Sequence, residues 1–560
     1  MALNNPTQSA TVAVNNLTLQ YGSIKALSNV TTTIEKGRIL GVVGESGSGK
    51  STLARAMLGL LPDVARITSG EILFDGTDLS RLPIDQLRAI RGQRITYISQ
   101  DPLRALTPTL TIGDQMTDIQ YRSGISRPEK RARAVAILER VGMPDPESRL
   151  KMYPHELSGG QRQRVSIAMA VMMKPDLLIA DEATTALDAT LEQEIIKLLK
   201  ELQSELGCSM LFVTHHLGVV ASLCDDVVVI HHGVVKEQGP VAQVFGSPQD
   251  PYTKMLLRCD PALIEEKTRH LPITSDDPDA PVVIESGPAD RIKVSEPPVL
   301  EISDLKVTFS RNAFLGGLFG DIGYEIPAVK GAGLRVRKGE TVAIVGESGS
   351  GKTTIARTVI GLQKADGGSI HFDGRELTRL SHAEYKSARR EITFMFQDPI
   401  GSLSPRMRVR DTVVEPLRIH SVDKPNYAAE AERLLGLVGL DARFIDRYPH
   451  ELSGGQARRV AVARAIALEP KLIIADEPTA GLDVSIQGEI LNLLAEIQDR
   501  TGVAMLLITH NLNVVRHISD RVAIMFMGEF LEVDQTDVIF SAPRHDYTRR
   551  LIAANHHPSF

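Results

Sequence analysis

The feature that most constrains this chain is a set of five short landmarks that occurs twice in the same order. The two copies of a glycine-rich loop, which begin at Gly44 and Gly346, lie 302 residues apart, and the aspartates Asp181 and Asp476 lie 295 apart. Such steady spacing is typical of duplication. At 560 residues the chain also exceeds what one hydrophobic core usually organises. We therefore predict two large α/β domains of related fold.

Each glycine-rich loop follows an apolar strand and reads Gly-Glu-Ser-Gly-Ser-Gly-Lys, followed by Ser or Thr. Loops of this kind turn backbone N–H groups toward phosphate oxygens, while the lysine neutralises the β and γ oxygens and the hydroxyl binds magnesium. The candidate nucleotide-binding residues are Gly44, Ser46, Gly47, Gly49, Lys50, Ser51 and Thr52, and in the second half Gly346, Ser348, Gly349, Gly351, Lys352, Thr353 and Thr354.

An acidic pair ends a short apolar run in each half, as Asp181-Glu182 and Asp476-Glu477. Such runs predict buried parallel strands that deliver side chains at their carboxyl ends. One carboxylate can then lie near magnesium while the next orients or deprotonates water. We assign Asp181 and Asp476 to the metal and Glu182 and Glu477 as general bases.

Two more polar residues accompany each acidic pair. His215 and His510 also end apolar runs, 34 residues beyond their aspartates, and an imidazole can bridge the γ-phosphate and the base. Gln100 and Gln397 precede Asp-Pro at a predicted flexible loop, where the amide can meet magnesium or the attacking water. We therefore add the histidines to the catalytic residues and the glutamines, with the loop hydroxyls of Ser51 and Thr353, to the metal ligands.

A Leu-Ser-Gly-Gly-Gln segment precedes a predicted helix in each half. Its serine can cap the helix, while the glycine amides and the helix dipole present an anion site. Each segment lies far along the chain from its own phosphate loop, so we expect it to face the nucleotide of the other half. The candidate residues are Ser158, Gly159, Gly160, Gln161, Ser453, Gly454, Gly455 and Gln456.

A Pro- and Asp-rich stretch separates the two copies. We predict a first domain over residues 1–259, a linker over 260–298 that behaves as a flexible coil, and a second domain over 299–560. Charged, helix-favouring stretches at Arg127–Arg140 and Tyr427–Leu435 predict a helical subdomain in each half.

Composition excludes several classes of protein. A net charge of −6 over this length gives no argument for nucleic acid, so we expect no nucleic-acid partner. Three cysteines are too few for a disulfide framework or a zinc site, which favours a reducing compartment. The first ten residues lack the apolar core of a signal peptide, and no stretch reads as a membrane span.

Together these motifs resemble the ABC ATPase family, whose pattern also includes a loop with Asp188 in the first half and Asp483 in the second. The resemblance implies an α/β fold of two tandem P-loop ATPase domains. Each would contain a RecA-like core, an antiparallel β subdomain and a helical signature subdomain.

The resemblance also implies a head-to-tail sandwich with two shared ATP sites. Lys50 and Ser453 would face one ATP, and Lys352 and Ser158 the other.

An aromatic residue ahead of the phosphate loop stacks on adenine in the family. Tyr21 resembles that residue in the first half. An insertion over residues 311–325 leaves Phe309 and Tyr324 as alternatives in the second half, and we favour Phe309.

Narrower strings resemble the peptide and nickel importer branch, including Tyr-Pro-His-Glu-Leu-Ser at 153–158 and 448–453 and the tails Pro-Tyr-Thr at 251–253 and Asp-Tyr-Thr at 546–548. This resemblance implies a subunit that uses ATP and Mg²⁺ to energise import of peptides or related small solutes. It would lie at the cytoplasmic face of the bacterial inner membrane, bound to two integral permease subunits through loops at 101–108 and 398–405. An extracytoplasmic solute-binding protein would complete the complex.

Several departures from the family pattern bear on these expectations. Ala183 replaces a proline, and His216 and Asn511 replace an aspartate, but no catalytic group is lost. Some relatives hold an iron–sulfur cluster in the tail, where this chain has only Cys259, so we predict no cluster.

Two alternatives remain at this point. A soluble tandem ABC protein acting on ribosomes usually has a long, charged helical arm between its cassettes, where this chain has a Pro-broken acidic linker, and no zinc-finger cysteine pairs indicate a DNA-repair relative. A fused sugar-uptake ATPase shares the duplication but not the Pro-Tyr-Thr tails.

Overall fold

The computed structural model describes residues 10–184, 187–264, 266–273, 291–292, 294–311, 324–398, 401–424 and 426–555. In this part of the chain the two halves repeat one architecture. The strands of the first half are β1 (Ala10–Tyr21), β2 (Ile24–Glu35), β3 (Ile39–Val43), β4 (Ala65–Phe74), β5 (Thr77–Asp78), β6 (Ile95–Ile98), β7 (Leu177–Asp181), β8 (Ser209–Val213), β9 (Asp226–His231) and β10 (Val234–Pro240). Those of the second half are β11 (Leu300–Arg311), β12 (Tyr324–Val336), β13 (Thr341–Val345), β14 (Gly367–Phe372), β15 (Arg375–Glu376), β16 (Ile392–Met395), β17 (Leu472–Asp476), β18 (Ala504–Thr509), β19 (Arg521–Phe526) and β20 (Glu529–Gln535).

Each half also contains a matching series of helices. The first half has α1 (Lys50–Met57), α2 (Ile84–Ile90), α3 (Pro102–Ala105), α4 (Ile112–Asp118), α5 (Arg127–Arg140), α6 (Pro146–Arg149), α7 (Gly159–Val171), α8 (Ala189–Leu206), α9 (Leu217–Leu223), α10 (Val241–Gly246) and α11 (Pro251–Arg258). The second half has α12 (Lys352–Val359), α13 (His382–Glu391), α14 (Val409–Ile419), α15 (Tyr427–Leu437), α16 (Gly454–Ile466), α17 (Val484–Thr501), α18 (Leu512–Ile518), α19 (Thr536–Ser541) and α20 (Asp546–Asn555).

Two sheets form the body of each half. A four-stranded antiparallel sheet has the order β2-β1-β4-β5, and a six-stranded sheet has the order β10-β9-β3-β8-β7-β6. Every pairing in the larger sheet is parallel except that of β10 with β9. The second half repeats both orders, as β12-β11-β14-β15 and β20-β19-β13-β18-β17-β16. The predicted α/β fold is therefore confirmed in both halves.

The central strands are buried along their whole length, as their apolar runs predict. Every residue of β3, β7, β8, β13, β17 and β18 is buried. Strands covered by helices on both faces have this continuous apolar sequence. The acidic pair and the histidine of each half consequently emerge at the carboxyl edge of one sheet, beside the loop that follows β3 or β13.

The predicted helical subdomains are confirmed, since both charged stretches form helices, α5 and α15. Helix α5 begins with a capping box in which Ser126 accepts from the Glu129 N–H and the Glu129 carboxylate accepts from the Ser126 N–H. A proline after the cap further favours a helix start there. Helix α5 contacts α4 and α7, so the subdomain leads directly into the Leu-Ser-Gly-Gly-Gln helix.

The described ends of the linker pack on the second half, which differs from a free coil. Arg269 donates to Gln498 Oε1 (2.8 Å) and Asp499 Oδ1 (2.8 Å), and Arg291 forms an ion pair with Asp520. These ion pairs are made between residues distant in sequence, and linker composition does not reveal them. The acidic centre at 276–279 lies outside the described residues, as does 312–323 of the second-half insertion.

Candidate nucleotide sites

Each phosphate loop follows a buried strand and leads into a helix that begins at its lysine. A Cβ atom on Gly44 would lie 2.0 Å from the carbonyl oxygen of Ile230, so a larger residue cannot occupy this position. Gly49 has φ of 107° and lies against Leu27, which again requires glycine. Gly346 and Gly351 repeat these constraints in the second half. The loops therefore have the tight backbone path that phosphate cradles need.

The lysines of the two loops are buried among backbone carbonyls. Lys50 Nζ donates to the carbonyl oxygens of Gly44 (2.7 Å) and Glu45 (3.0 Å), and Lys352 makes the same two contacts in its own loop. Burial lowers the pKa of both ammonium groups, and nearby carboxylates oppose that shift. A bound polyphosphate would supply the anionic charge that these buried cations favour.

The residues assigned to magnesium lie together in both halves. Ser51 Oγ donates to Asp181 Oδ1 at 3.0 Å, and Thr353 Oγ1 donates to Asp476 Oδ1 at 3.3 Å. Burial raises the pKa of both aspartates, and a divalent cation would favour their ionised form. Hydroxyl and carboxylate oxygens are the donors that Mg²⁺ takes beside phosphate oxygens, so the residues fit that ion.

The glutamates assigned as bases contact His215 and His510, which we call the sensor histidines because they are predicted to bridge the γ-phosphate and the base. Nδ1 of His215 lies 3.5 Å from Glu182 Oε1, and Nδ1 of His510 lies 2.7 Å from Glu477 Oε1. Both glutamates have positive φ, 50° and 52°, a backbone strain that clusters at functional sites. Burial disfavours the charged His510 ring, but its bond to Glu477 outweighs this and raises its pKa. Each pair can hold and orient a proton beside the phosphate loop.

The two glutamines differ in their contacts. Gln100 Nε2 donates to Glu182 Oε2 at 2.6 Å, so it contacts the assigned base rather than the magnesium-side aspartate. Gln397 lines a cavity together with Glu477 and His510. Their assignment to magnesium stays a prediction.

The serine of each Leu-Ser-Gly-Gly-Gln segment caps its helix, as predicted. Ser158 Oγ accepts a hydrogen bond from the Gln161 N–H, and the Gln161 side chain accepts one from the Ser158 N–H. Ser453 forms the same capping box with Gln456. A Cβ atom on Gly160 would lie 2.4 Å from Leu191 on α8. The segment therefore packs directly against the helix that follows Asp188.

The start of α8 or α17, together with the residue before it, contacts the phosphate loop of the other half. Asp483 Oδ1 accepts from Ser46 Oγ at 3.0 Å, and Ser485 Oγ donates to Glu45 Oε1 at 2.7 Å. Asp483 makes no cap bond to its own helix.

The reciprocal contact involves the equivalent residues. Thr190 interacts with the Glu347 side chain, and Asp188 acts electrostatically on Lys352. These cross-contacts are related by the duplication, so each phosphate loop lies against the opposite half.

The aromatic candidates lie at the ends of β1 and β11. Tyr21 is half-buried and packs against the first-half core. Phe309 is 44% exposed and lines a cavity of about 520 Å³ with Lys352 and Thr353. The side chain of Tyr324 lies outside the described residues, so that alternative is not tested.

Sequence reasoning missed a tyrosine that contacts each phosphate loop. The Tyr252 hydroxyl accepts from the Glu45 N–H at 3.2 Å, and the Tyr547 hydroxyl accepts from the Glu347 N–H at 3.2 Å. Both tyrosines belong to the Tyr-Thr tails, which served only as a mark of resemblance. The two tyrosines lie 295 residues apart, the same spacing as the two acidic pairs, and this shared spacing is the signal that could have revealed them.

Comparison with known proteins gives a direct result. The family model described as ABC transporter matches residues 27–185 and 329–480. The chain belongs to the ABC transporter ATPase family. It is thus an ATP-binding, P-loop ATPase coupled to solute transport. A second model, "Oligopeptide/dipeptide transporter, C-terminal region", matches residues 236–287.

Curated relatives match almost the whole chain. The "Glutathione import ATP-binding protein GsiA" of Shigella dysenteriae serotype 1 is 40% identical, over 97% of this chain and 89% of the relative. The proteins of the same name from Escherichia coli K12 and Salmonella paratyphi A are 40% and 41% identical, over 97% and 95% of this chain and 89% and 86% of the relative. Within its described residues, this ABC ATPase has no helix long and apolar enough to cross a bilayer.

Proposed function

We propose that this ABC ATPase is the energy-supplying subunit of a bacterial importer for peptides or related small solutes such as glutathione. The match of 236–287 to the oligopeptide and dipeptide transporter region supports this class of solute. The import proteins that resemble the chain over nearly its full length support the direction of transport. Neither observation favours a ribosome- or DNA-acting protein or a fused sugar-uptake ATPase.

Two composite ATP sites would lie at a head-to-tail interface between the halves. The reciprocal contacts of each phosphate loop with the opposite half, Asp483 with Ser46 and Thr190 with Glu347, are the observation that carries this arrangement. In it, Ser453 and its glycine amides would complete the ATP site of Lys50. Ser158 would complete that of Lys352.

Within each site, separate groups would bind the triphosphate, hold Mg²⁺ and accept the proton of the attacking water. The phosphate-loop amides and lysine would bind the triphosphate. Ser51 with Asp181, or Thr353 with Asp476, would hold Mg²⁺, which would supply positive charge beside the transferred phosphoryl group. Glu182 and Glu477 accept a proton from the attacking water.

The remaining groups of each site would position the nucleotide and sense its γ-phosphate. His215 and His510 orient the bases and contact the γ-phosphate. Tyr21 and Phe309 would stack on the two adenines, and the cavity shared by Phe309 and Lys352 supports the second of these.

Grooves beside the glutamine loops would receive the cytoplasmic helices of two permeases. The first groove, about 290 Å³, lies between β6 and α7 and includes Tyr97 and Met169. The second, about 200 Å³, lies between β16 and α16 and includes Phe394 and Phe396, the latter 49% exposed. Exposed apolar side chains in such grooves fit an apolar helix face.

Docking to the permeases would hold the chain peripherally at the inner face of the membrane. A solute-binding protein on the far side would deliver the substrate. In this proposal the two ATPase domains are residues 1–259 and 299–560, and residues 260–298 link them.

The test is turnover by the full chain carrying Glu182→Gln and Glu477→Gln together. Because the amides cannot accept the proton, ATP hydrolysis should fall at least about 100-fold, the lower range for a lost general base, while ATP binding persists. Glu201→Gln, on the outer surface of α8 beside Arg140, is the matched control and should hydrolyse ATP at the wild-type rate. Undiminished hydrolysis by the double variant would remove these glutamates from catalysis.

A further inference from the structure

The residue behind the sensor histidine differs between the halves, together with its neighbour on the adjacent helix. His216 follows His215, and its Nδ1 lies 3.2 Å from Oε1 of Glu192 on α8. The equivalent positions, 295 residues later, hold Asn511 and Gln487. A titratable pair in one half thus corresponds to two neutral amides in the other.

The two amides of the second half serve local roles instead of pairing. Asn511 Oδ1 accepts from the N–H groups of Asn513 (3.0 Å) and Val514 (3.2 Å), so it caps α18. Gln487 Nε2 donates to the carbonyl oxygen of Thr479 at 3.5 Å. In the first half His216 makes no side-chain cap bond to α9. Its ring is used for the contact with Glu192.

Glu192 lies one turn into a helix whose start contacts the other half. Asp188 caps α8 by accepting from the Leu191 N–H, and it acts electrostatically on Lys352. Thr190 interacts with the side chain of Glu347 in the second phosphate loop. A displacement of Glu192 would therefore be transmitted to that loop through a single rigid turn.

The other end of the pair contacts the machinery of the first half. The His216 ring lies edge-on to the His215 ring with centroids 4.4 Å apart. His215 in turn lies 3.5 Å from Glu182, a longer contact than the 2.7 Å between His510 and Glu477. The histidine that has the extra neighbour is thus the one less closely bound to its glutamate.

Both residues border a cavity of about 250 Å³ between the halves. Titratable or charged groups of both halves line it, namely Glu192, His215, His216, Asp260, Glu477 and His510. Enclosure disfavours the charged His216 ring, but the charge and hydrogen bond of Glu192, with Asp260 and Glu182 behind it, outweigh this and raise its pKa. The ion pair is therefore complete below the ordinary imidazole pKa of about 6.5 and is lost as pH rises through the raised pKa of His216.

We propose that His216 and Glu192 form a positioning pair that connects the sensor histidine of one nucleotide site to the phosphate loop of the other. Among the described residues, Asn511 and Gln487 make no such connection, so the coupling is built into one side of the interface only. The inference rests on the proposed function, because the sites at both ends are those assigned there.

The test uses the double variant His216→Asn/Glu192→Gln, which gives the first half the residues of the second. ATP hydrolysis by the full chain is measured against ATP concentration across about pH 5.5 to 9, a range that brackets imidazole titration. Below the raised pKa, kcat of the double variant should fall about fivefold, at the low end of site-to-site coupling, while KM changes less than about twofold. Wild-type kcat should decline as the pH rises through the raised pKa of His216, and the double variant should not show this decline.

Two further variants separate positioning from mere stability. Glu192→Gln alone should give the same loss, whereas His216→Lys, which keeps its charge, should retain kcat with no decline in the imidazole range. Glu201→Gln on the same helix is the charge-removal control and should keep the wild-type pH profile. Melting temperatures should be alike in all four.

The outcomes for this pair and for the proposed function are distinct. If the double variant keeps the kcat and the pH profile of the wild type, the pair does not connect the sites and the inference is overturned. If Glu182→Gln with Glu477→Gln hydrolyses ATP normally, the assignment of the bases fails instead.

Discussion

The hydroxyl of Tyr252 offers a direct way to perturb a phosphate loop without touching the nucleotide. It accepts a hydrogen bond from the backbone of Glu45, and Tyr547 does the same for Glu347. Burial raises the pKa of Tyr252 above its ordinary value and that of Tyr547 to about 12, so both hydroxyls stay neutral at working pH. Tyr252→Phe keeps the ring, which stacks on His231 with centroids 3.9 Å apart, and removes only the acceptor.

The magnitude follows from that single bond. A neutral hydrogen bond contributes about 0.5–1.5 kcal/mol, with more lost when a buried donor is left unpaired. If this energy holds the loop in its binding conformation, ATP affinity falls about 2- to 13-fold, since 1.4 kcal/mol is tenfold. Because the Glu45 N–H would lose its acceptor, we expect the fall in ATP affinity to lie near the upper end of that range.

The assay is calorimetric measurement of ATP–Mg²⁺ binding to the Glu182→Gln/Glu477→Gln protein. This background is chosen because it is expected to hydrolyse little ATP during the titration. Tyr252→Phe should weaken one site and Tyr547→Phe the other. Tyr121→Phe is the control, because that side chain is 65% exposed and its hydroxyl has no hydrogen-bond partner within the described part of the chain. Dissociation constants within twofold of the parent for both tail variants would refute the reasoning.

Two further predictions concern the linker ends. Arg269→Met should cost about 2–3 kcal/mol in urea unfolding, because Asp499 loses a buried charged donor. Arg88→Met, which breaks an exposed pair with Asp85, should cost under about 0.5 kcal/mol, and equal costs would contradict this. His517 is buried beneath the linker, and burial lowers its pKa to about 4. Since only the unfolded ring gains a proton near pH 6, stability should fall about 2 kcal/mol between pH 7 and 5. His517→Asn should lose that dependence, and an unchanged slope would count against it.

Much of each site was predictable because its chemistry is local. The glycines of the phosphate loops are required by contacts such as that of Gly44 with Ile230, and this requirement is visible as a repeated motif. The acidic pairs follow runs that read as buried strands, and parallel strands bring their carboxyl ends to one edge. The assigned partners Ser51 and Asp181 therefore meet across 130 residues of sequence.

The rest depends on contacts that no local pattern contains. The phosphate-loop motif predicts no contact for the Glu45 side chain, which accepts a hydrogen bond from Ser485 of the other half. In the sequence His216 is only a departure from a family pattern, because the packing of α8 is what brings Glu192 beside it. The Pro- and Asp-rich composition predicts a coil at the linker ends, because the acceptors of Arg269 lie on α17, far away in sequence.

The most direct measurement is the structure of the Glu182→Gln/Glu477→Gln protein with ATP and Mg²⁺. We predict Ser453 within hydrogen-bonding reach of the triphosphate held by Lys50, and Ser158 within reach of the one held by Lys352. Two bound triphosphates that each contact residues of a single half, with both serines turned to solvent, would contradict the head-to-tail account.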